Sequence, residues 1–441
     1  MSDPHQLILL IGTGPSSMNE VQAGEYRQAT YFLPDRPEHT SHTPFVGEAI
    51  TRLTEEDFDQ VHILGTSDAM WGVLLEHFGD ALDEPAVRHL LSMEEDCPDR
   101  MPLPLRSKIS DTVGAELGVP VQPHLIPVGT STDEYWQLLR RLTRLGIDAG
   151  RVSIDITHSL RSHSVFLFLA LVYLRSVHAD LSLGSVFYGA NVLANEHFDG
   201  RSPIFDLRPM VELLDWIDAA QAFDRYGDSA LLARLLRESE ADLSDLAQRS
   251  EYVSRVLQLN TLSKVRANTR KLKSLLDDLP DDGPLPLELI RPRLKRLPDR
   301  LEGRPQWAAT LITAEEHWDS YRAGPAVLST WEAVIERLGA AYDVDVEVYE
   351  THKALADLAT DWSEWDRSKD QGLAEFDQKA STLKEYRNAI AHTRQGKDES
   401  IQPNQIYEGF PALLEYFQSA LRSDALDRIP QVVSLDTFRR D

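Results

Sequence analysis

Cysteine is nearly absent: Cys97 is the single thiol in 441 residues. One thiol cannot close an intrachain disulfide, so the fold stands without covalent staples and suits a reducing compartment. Long apolar runs are missing too. The most apolar, Val165 to Leu174, is about half of the roughly 20 residues needed to span a bilayer, which predicts a buried helix rather than an anchor. The first residues lack a basic start followed by an apolar stretch and a cleavage site. The expectation is a cytoplasmic protein with no membrane partner. Positive charge is scarce as well. Lys and Arg number 45 against 71 Asp and Glu, a net charge of −26, which argues against a protein that coats nucleic acid. An enzyme that meets RNA briefly is compatible with this balance, provided that basic groups are concentrated at its site. What is present suffices for ordinary cores: 42% of residues are hydrophobic, and the length suggests two or three domains.

The first two hundred residues alternate between short apolar runs and helical patterns. Strands are expected at Leu7–Ile11, Gln60–Leu64, Val121–Val128, Arg151–Ile156 and Leu181–Tyr188. A looser stretch with Tyr26, Tyr31 and Phe32 suggests a hairpin. Helices fall between the strands, among them Phe45–Leu53, one carrying Met70, Trp71, Leu74 and Leu75, then Asp133–Leu145 and Val165–Val177. This alternation predicts an α/β unit, a Rossmann-like parallel sheet with helices on both faces.

The strand ends repeat a theme. Gly12-Thr13-Gly14, Gly65-Thr66-Ser67, Gly129-Thr130-Ser131 and Asp155-Ile156-Thr157-His158 each close a strand and precede a helix. Ligands of open parallel sheets bind at the carboxyl ends of the strands. Gly permits close backbone approach, hydroxyls donate hydrogen bonds, and helix N-termini attract anions. The plainer alternative is that these Thr and Ser residues are helix N-caps. Four similar ends on one rim favour a phosphate-bearing ligand. Ser17 stands where a dinucleotide fingerprint needs its third Gly, which disfavours a nicotinamide or flavin enzyme. In the last loop, His158 suits a ligand contact or proton carrier, and Arg161 a phosphate clamp. Equally, Asp155 could pair with Arg161 to brace the loop.

From about residue 207 strand patterns fade and the chain reads as all-α. Helices are expected at Trp307–Trp318, Ala326–Leu338, Ala374–Ala391 and about Tyr407–Leu421. Six prolines between 280 and 305 predict a loop or a boundary between helical subdomains. Trp331, Trp362 and Trp365 are expected in the core. The divisions that follow are 1–206, a connecting region 207–305, and 306–441. Near the end stands Arg387-Asn388-Ala389-Ile390-Ala391-His392, on a helix given an apolar side by Leu383, Tyr386 and Ile390. Such a pair suits metal-free RNA cleavage: an imidazole moves protons, and a guanidinium neutralises charge developing on phosphorus. A five-residue step turns about 140° on a helix, so Arg387 and His392 are not stacked, whereas Asn388 and His392 share a face. A basic residue and a His near a helix C-terminus also suit the macrodipole without any chemistry.

Taken together, these stretches resemble the type III CRISPR-associated ancillary ribonucleases that join an N-terminal CARF sensor to a C-terminal HEPN nuclease. The resemblance rests on Ile11-Gly12-Thr13-Gly14, on Ile63-Leu64-Gly65-Thr66-Ser67 with Trp71, on Asp155 to Ser162, and on Arg387-Asn388 with His392. Ser159 and Leu160 depart from that family, which usually has Gly and Phe there; this bears on the loop's backbone and on any self-degradation of the ligand. The resemblance implies a homodimer, or a higher oligomer, with two sensor halves facing one cyclic oligoadenylate, most simply the tetra-adenylate. It implies no other cofactor and no metal, and a composite HEPN site that cleaves single-stranded RNA. Arg387, Asn388 and His392 would be catalytic. Gly12, Thr13, Gly14, Gly65, Thr66, Ser67, Asp155, Thr157, His158 and Arg161 would bind the activator. Two other readings stay open: a nucleotide-sensing regulator whose helical half binds a partner, and a small-molecule enzyme on the N-terminal half with His158 at its rim.

Overall fold

The computed structural model describes residues 3–13, 28–80, 82–92, 101–147, 150–158, 160–239, 242–279, 284–361, 373, 375–391, 401–431 and 433–438. In chain order the N-terminal elements are β1 (His5–Ile11), β2 (Ala29–Leu33), β3 (Arg36–Thr43), α1 (Val46–Leu53), β4 (Gln60–Gly65), α2 (Trp71–His77), α3 (Glu84–Ser92) and α4 (Leu103–Leu117). They continue with β5 (Val121–Leu125), α5 (Thr132–Leu142), β6 (Gly150–Asp155), α6 (Arg161–Val177), β7 (Leu181–Gly189), α7 (Ala194–His197) and β8 (Ser202–Asp206). Helices follow: α8 (Arg208–Tyr226), α9 (Ala230–Glu238), α10 (Ser244–Gln258), α11 (Leu262–Asp277), α12 (Leu285–Leu301), α13 (Gln306–Asp319), α14 (Ala323–Tyr342), α15 (Tyr349–Thr360), α16 (Phe376–Ala391) and α17 (Pro403–Ala420). Two compact units result, Met1–Glu212 and Leu213–Asp441.

The first unit is built on an eight-stranded sheet of order β3-β2-β8-β7-β6-β1-β4-β5. Its five strands β7, β6, β1, β4 and β5 are parallel. The sheet is not parallel throughout, however. β8 runs antiparallel to β7, and β2 and β3 form an antiparallel hairpin beyond it. The strand β8 is hard to read from its sequence, because Pro203 interrupts a short run and marks an edge-type position. Alternation along β1 sets the two faces. Leu7, Leu9 and Ile11 pack with α1, α2 and α4 through Ile50, Trp71 and Ile109. Ile8 and Leu10 pack with α5 and α6 through Leu138, Leu142, Leu167 and Leu171. The result is an α/β/α sandwich.

The helix α6 corrects one expectation. Leu167, Ala170, Leu171 and Leu174 are buried, but Val165 (61% exposed), Leu169 (57%), Tyr173 (55%) and Val177 (54%) form an open stripe at four-residue spacing. The run is apolar on both sides, and the sheet covers only one.

In the second unit, one core gathers α8 to α12 with the start of α13, and another gathers α13 to α17 with the residues after them. Most of the proline-rich stretch expected as a loop or a boundary between helical subdomains is the helix α12, with Pro292 and Pro298 inside it. Each of those prolines removes one helical hydrogen bond. Burial of Leu287, Ile290, Leu294, Leu297 and Leu301 on one face outweighs that loss. Trp331 is buried, as expected; Trp362 and Trp365 lie outside the described residues.

Candidate functional site

The chain winds outward from the central strand β1, to β4 and β5 on one side and to β6 and β7 on the other. Strand order therefore reverses beside β1, and the crevice at the carboxyl ends of these strands is where open α/β sheets take ligands. Gly12-Thr13, Gly65-Thr66-Ser67 and Asp155 to His158 follow the adjacent strands β1, β4 and β6, so the structure brings these three stretches to one rim. Gly14 lies outside the described residues.

Their side chains divide into two groups. Thr13, Ser67 and Arg161 are exposed. Thr66 and Asp155 are buried and serve the rim from beneath. The Thr66 carbonyl accepts from Ala69 N at 3.1 Å and from the Trp71 indole at 2.9 Å, and Gly12 O accepts from Met70 N at 3.0 Å. The ends of β1 and β4 are thus locked to the start of α2. Thr157 Oγ1 donates to Asp155 Oδ1 at 2.5 Å and accepts from Gly189 N at 2.7 Å, joining the ends of β6 and β7.

Asp155 does not brace Arg161. Its Oδ2 has no hydrogen-bond partner, and burial pushes its carboxyl up to about 7 against the hydrogen bonds from Thr157. His158 is half-buried, but its Nε2 is sealed and unpartnered, and burial lowers the ring to about 4. Both residues line a cavity of about 30 Å³, room for one or two water molecules, which Glu48 also lines. Glu48 is a site residue that sequence reasoning missed. Burial raises its carboxyl, but hydrogen bonds from His77 (2.7 Å) and Thr43 and the charge of Arg52 (2.8 Å) bring it below its ordinary value. The available signal was a carboxylate in an otherwise apolar turn, Val46 to Ile50.

The fourth strand end behaves differently. Glu134 Oε2 accepts from Gly129 N (2.7 Å) and Thr130 N (2.9 Å), while Ser131 Oγ accepts from Glu134 N. A carboxylate of the chain itself occupies the donors that an anion would use. At this edge of the sheet the N-cap reading holds.

In the helical unit, Arg387 and Asn388 sit near the end of α16. Arg387 is half-buried and its Nη1 donates to Asn388 Oδ1 at 3.1 Å; Asn388 is exposed. Phe376, Ala380 and Leu383 bury the helix, and Tyr386 OH donates to Gln405 O of α17 at 3.1 Å. Gly409 permits that contact, since a β-carbon there would fall 2.3 Å from the phenol oxygen. The backbone beneath Arg387 is therefore firmly held. His392 lies outside the described residues. Among the described residues no group of three or more His, Cys, Asp or Glu could hold a metal, and no helix is long and apolar enough to cross a membrane.

Known proteins place the chain in context. Residues 212–304, from within α8 through α12, match the family model for the CRISPR-associated protein MJ1674, second domain. The chain is similar to a CRISPR-associated protein over most of its length. That relative, CRISPR-associated protein MJ1674 of Methanocaldococcus jannaschii, is 24% identical over 436 residues, covering 93% of this chain. The alignment spans 65% of the relative's own length.

Proposed function

We propose that the protein is a cyclic oligoadenylate-activated, metal-independent endoribonuclease that cuts single-stranded RNA in CRISPR antiviral defence. The observation that carries this reading is a pairing within one chain. A sheet unit offers exposed Thr13, Ser67 and Arg161 at the reversal of strand order, and a helical unit carries Arg387 and Asn388 near the end of α16, with His392 following in the sequence. Similarity to a CRISPR-associated protein supports the setting. Hydroxyls and a guanidinium suit the phosphodiester oxygens of a cyclic oligonucleotide. A ring of repeated nucleotides fits a twofold interface, and the open stripe on α6 supplies an apolar surface for a homodimer.

At the nuclease site the 2′-oxygen attacks phosphorus and the bond to the 5′-oxygen breaks. His392 moves the protons, from the 2′-hydroxyl or to the departing 5′-oxygen, with the second copy's His392 serving the other step. Arg387 neutralises the phosphorane, and Asn388 holds its guanidinium in register. The products are a 2′,3′-cyclic phosphate and a 5′-hydroxyl. Incubating the purified chain with cyclic oligoadenylates of several ring sizes and a labelled single-stranded RNA, in EDTA, tests the reading. Cleavage that depends on one ring size is expected. Tight ligand binding without cleavage would instead establish a non-catalytic sensor.

A further inference from the structure

In the helical unit a second polar cluster has no role in the ribonuclease reading and does not rest on it. Three turns meet there: Gly227 after α8, Asn260 after α10, and Ser320-Tyr321-Arg322 between α13 and α14. The Arg322 guanidinium packs on Gly227, where a β-carbon would lie 3.0 Å from Nη2. Its Nε, Nη1 and Nη2 are shut off from solvent, and none has a hydrogen-bond partner. Five N–H donors left idle out of water is an expensive state for a charged group. Glu316, the acidic neighbour that favours its charge, is engaged by Arg296 at 3.0 Å and Arg300 at 3.6 Å. Beside it His317 is fully buried and also has an idle nitrogen, Nδ1.

The neighbours determine what that nitrogen can do. Asn260 Oδ1 accepts from Ser329 Oγ at 2.8 Å and can only accept from His317 Nε2, at 3.1 Å. His317 therefore carries its proton on Nε2, and Nδ1 is a lone-pair acceptor. Burial and the Arg322 charge keep the ring neutral, at about 3. Asn260 (φ 51°) and Tyr321 (φ 57°) both hold left-handed backbone at these turns, a strain that tends to collect at ligand sites.

We propose that Arg322 and His317 form a binding site for a phosphate group that still carries a proton, either inorganic phosphate or a terminal monoester. The guanidinium fork matches the anionic oxygens. The His317 lone pair accepts a hydrogen bond from the P–OH, a donor that sulfate lacks at neutral pH. A phosphodiester has no such proton and fits less well. The site borders the candidate nuclease helix, because a β-carbon on Gly324, two residues beyond Arg322, would lie 3.6 Å from Ile390 of α16.

Thermal denaturation of the full chain tests this, comparing inorganic phosphate, adenosine monophosphate and sulfate at matched ionic strength. Phosphate is expected to raise the melting temperature saturably and sulfate far less. A shift with phosphate alone identifies the free ion as occupant, and one with the nucleotide identifies a monoester. Arg322→Met should abolish the phosphate-specific shift. Arg322→Lys keeps the charge without the fork and should raise the half-saturating concentration by about tenfold. His317→Gln should narrow the preference for phosphate over sulfate. Equal shifts with phosphate and sulfate in the unmodified chain, or an undiminished shift in either Arg322 variant, would overturn the proposal. The unmodified chain decides the matter even if a variant fails to fold.

Discussion

The Trp71 ring stands so close to Gly65 that a β-carbon at the glycine would lie 2.7 Å from Cζ2, as well as 2.3 Å from Ile11 Cγ2 and 2.9 Å from Ala69 Cβ. This corner fixes the ends of β1 and β4 against α2, and the surrounding core leaves nowhere for the displaced atoms to go. Gly65→Ala is expected to destabilise the sheet unit by about 1–3 kcal/mol, an overpacking cost. It should also displace Ser67 from the rim and weaken ligand binding. Thermal denaturation checks the first effect, and an unchanged melting temperature would contradict the packing argument.

Asp155 should make stability depend on pH. Its folded-state value of about 7 lies above the usual 3.8, so its favourable contribution is complete below about pH 4 and is lost as pH rises to 7. The slope is at most about 1.4 kcal/mol per pH unit. Buried His62 and His317 and half-buried His124 and His158, all lowered to between about 3 and about 4 by desolvation, act in the opposite sense up to about pH 6.5. A single stability curve therefore mixes the two signs. Asp155→Asn fixes the neutral form, and its stability advantage over the unmodified chain should grow from pH 5 to pH 8. Urea unfolding across that range measures the difference; a constant difference would mean that the carboxylate is ionised throughout.

Much of this was legible in the sequence where local and tertiary preferences agree. Four of the five parallel strands, β1, β4, β6 and β7, end in or just before Gly or Asp, and the alternation of strands with helices predicts both the layers and the rim. Legibility fails where tertiary burial overrides a local signal. Prolines hide α12 because five apolar residues on one face outweigh two missing hydrogen bonds. Thr66 looks like Thr13 in sequence, yet the packing of Trp71 buries it. The role of Glu134 was readable: Ser131 with Glu134 three residues on is a capping pattern, and the Glu134 carboxylate occupies the N–H groups of Gly129 and Thr130.

The stripe on α6 leads to a third expectation. Val165, Leu169, Tyr173 and Val177 stand open on a helix whose other side is fully packed. In the proposed homodimer this stripe meets its counterpart across the twofold axis. Leu169→Glu would then place two like charges in an apolar contact and should convert the dimer to monomer, leaving the thermal stability of the isolated unit nearly unchanged. Analytical ultracentrifugation resolves the outcome. A Leu169→Glu protein that remains dimeric would move the interface elsewhere.

The proposed chemistry uses side chains alone. Arg387→Ala and His392→Ala should each reduce ligand-stimulated RNA cleavage to background, while the oligomeric state and ligand affinity persist. Cleavage by the unmodified protein should survive EDTA. Product analysis should find 2′,3′-cyclic phosphate ends. Activity retained by His392→Ala, or lost in EDTA and restored by Mg²⁺ or Mn²⁺, would remove the assigned mechanism.

Coupling between the two units supplies the last expectation. A ligand activates only by binding the active arrangement more tightly than the inactive one. A hundredfold activation needs about 2.7 kcal/mol of such preference. Phosphates of a cyclic oligoadenylate meeting Thr13, Ser67 and Arg161 in both copies could supply it through several charge-assisted hydrogen bonds. Thr13 is the better probe than Thr66, because Thr13 is exposed and a substitution there leaves the core intact, whereas Thr66 is buried. Thr13→Glu should place a carboxylate against the ligand's phosphates, abolish ligand binding and activation together, and leave any basal cleavage unchanged. Arg387→Ala should do the reverse, with ligand affinity near that of the unmodified protein. Calorimetry for affinity and a fluorescent RNA for cleavage, on the same preparations, separate the two effects. If Thr13→Glu binds every cyclic oligoadenylate as well as the unmodified chain does, the sensor has been assigned to the wrong rim.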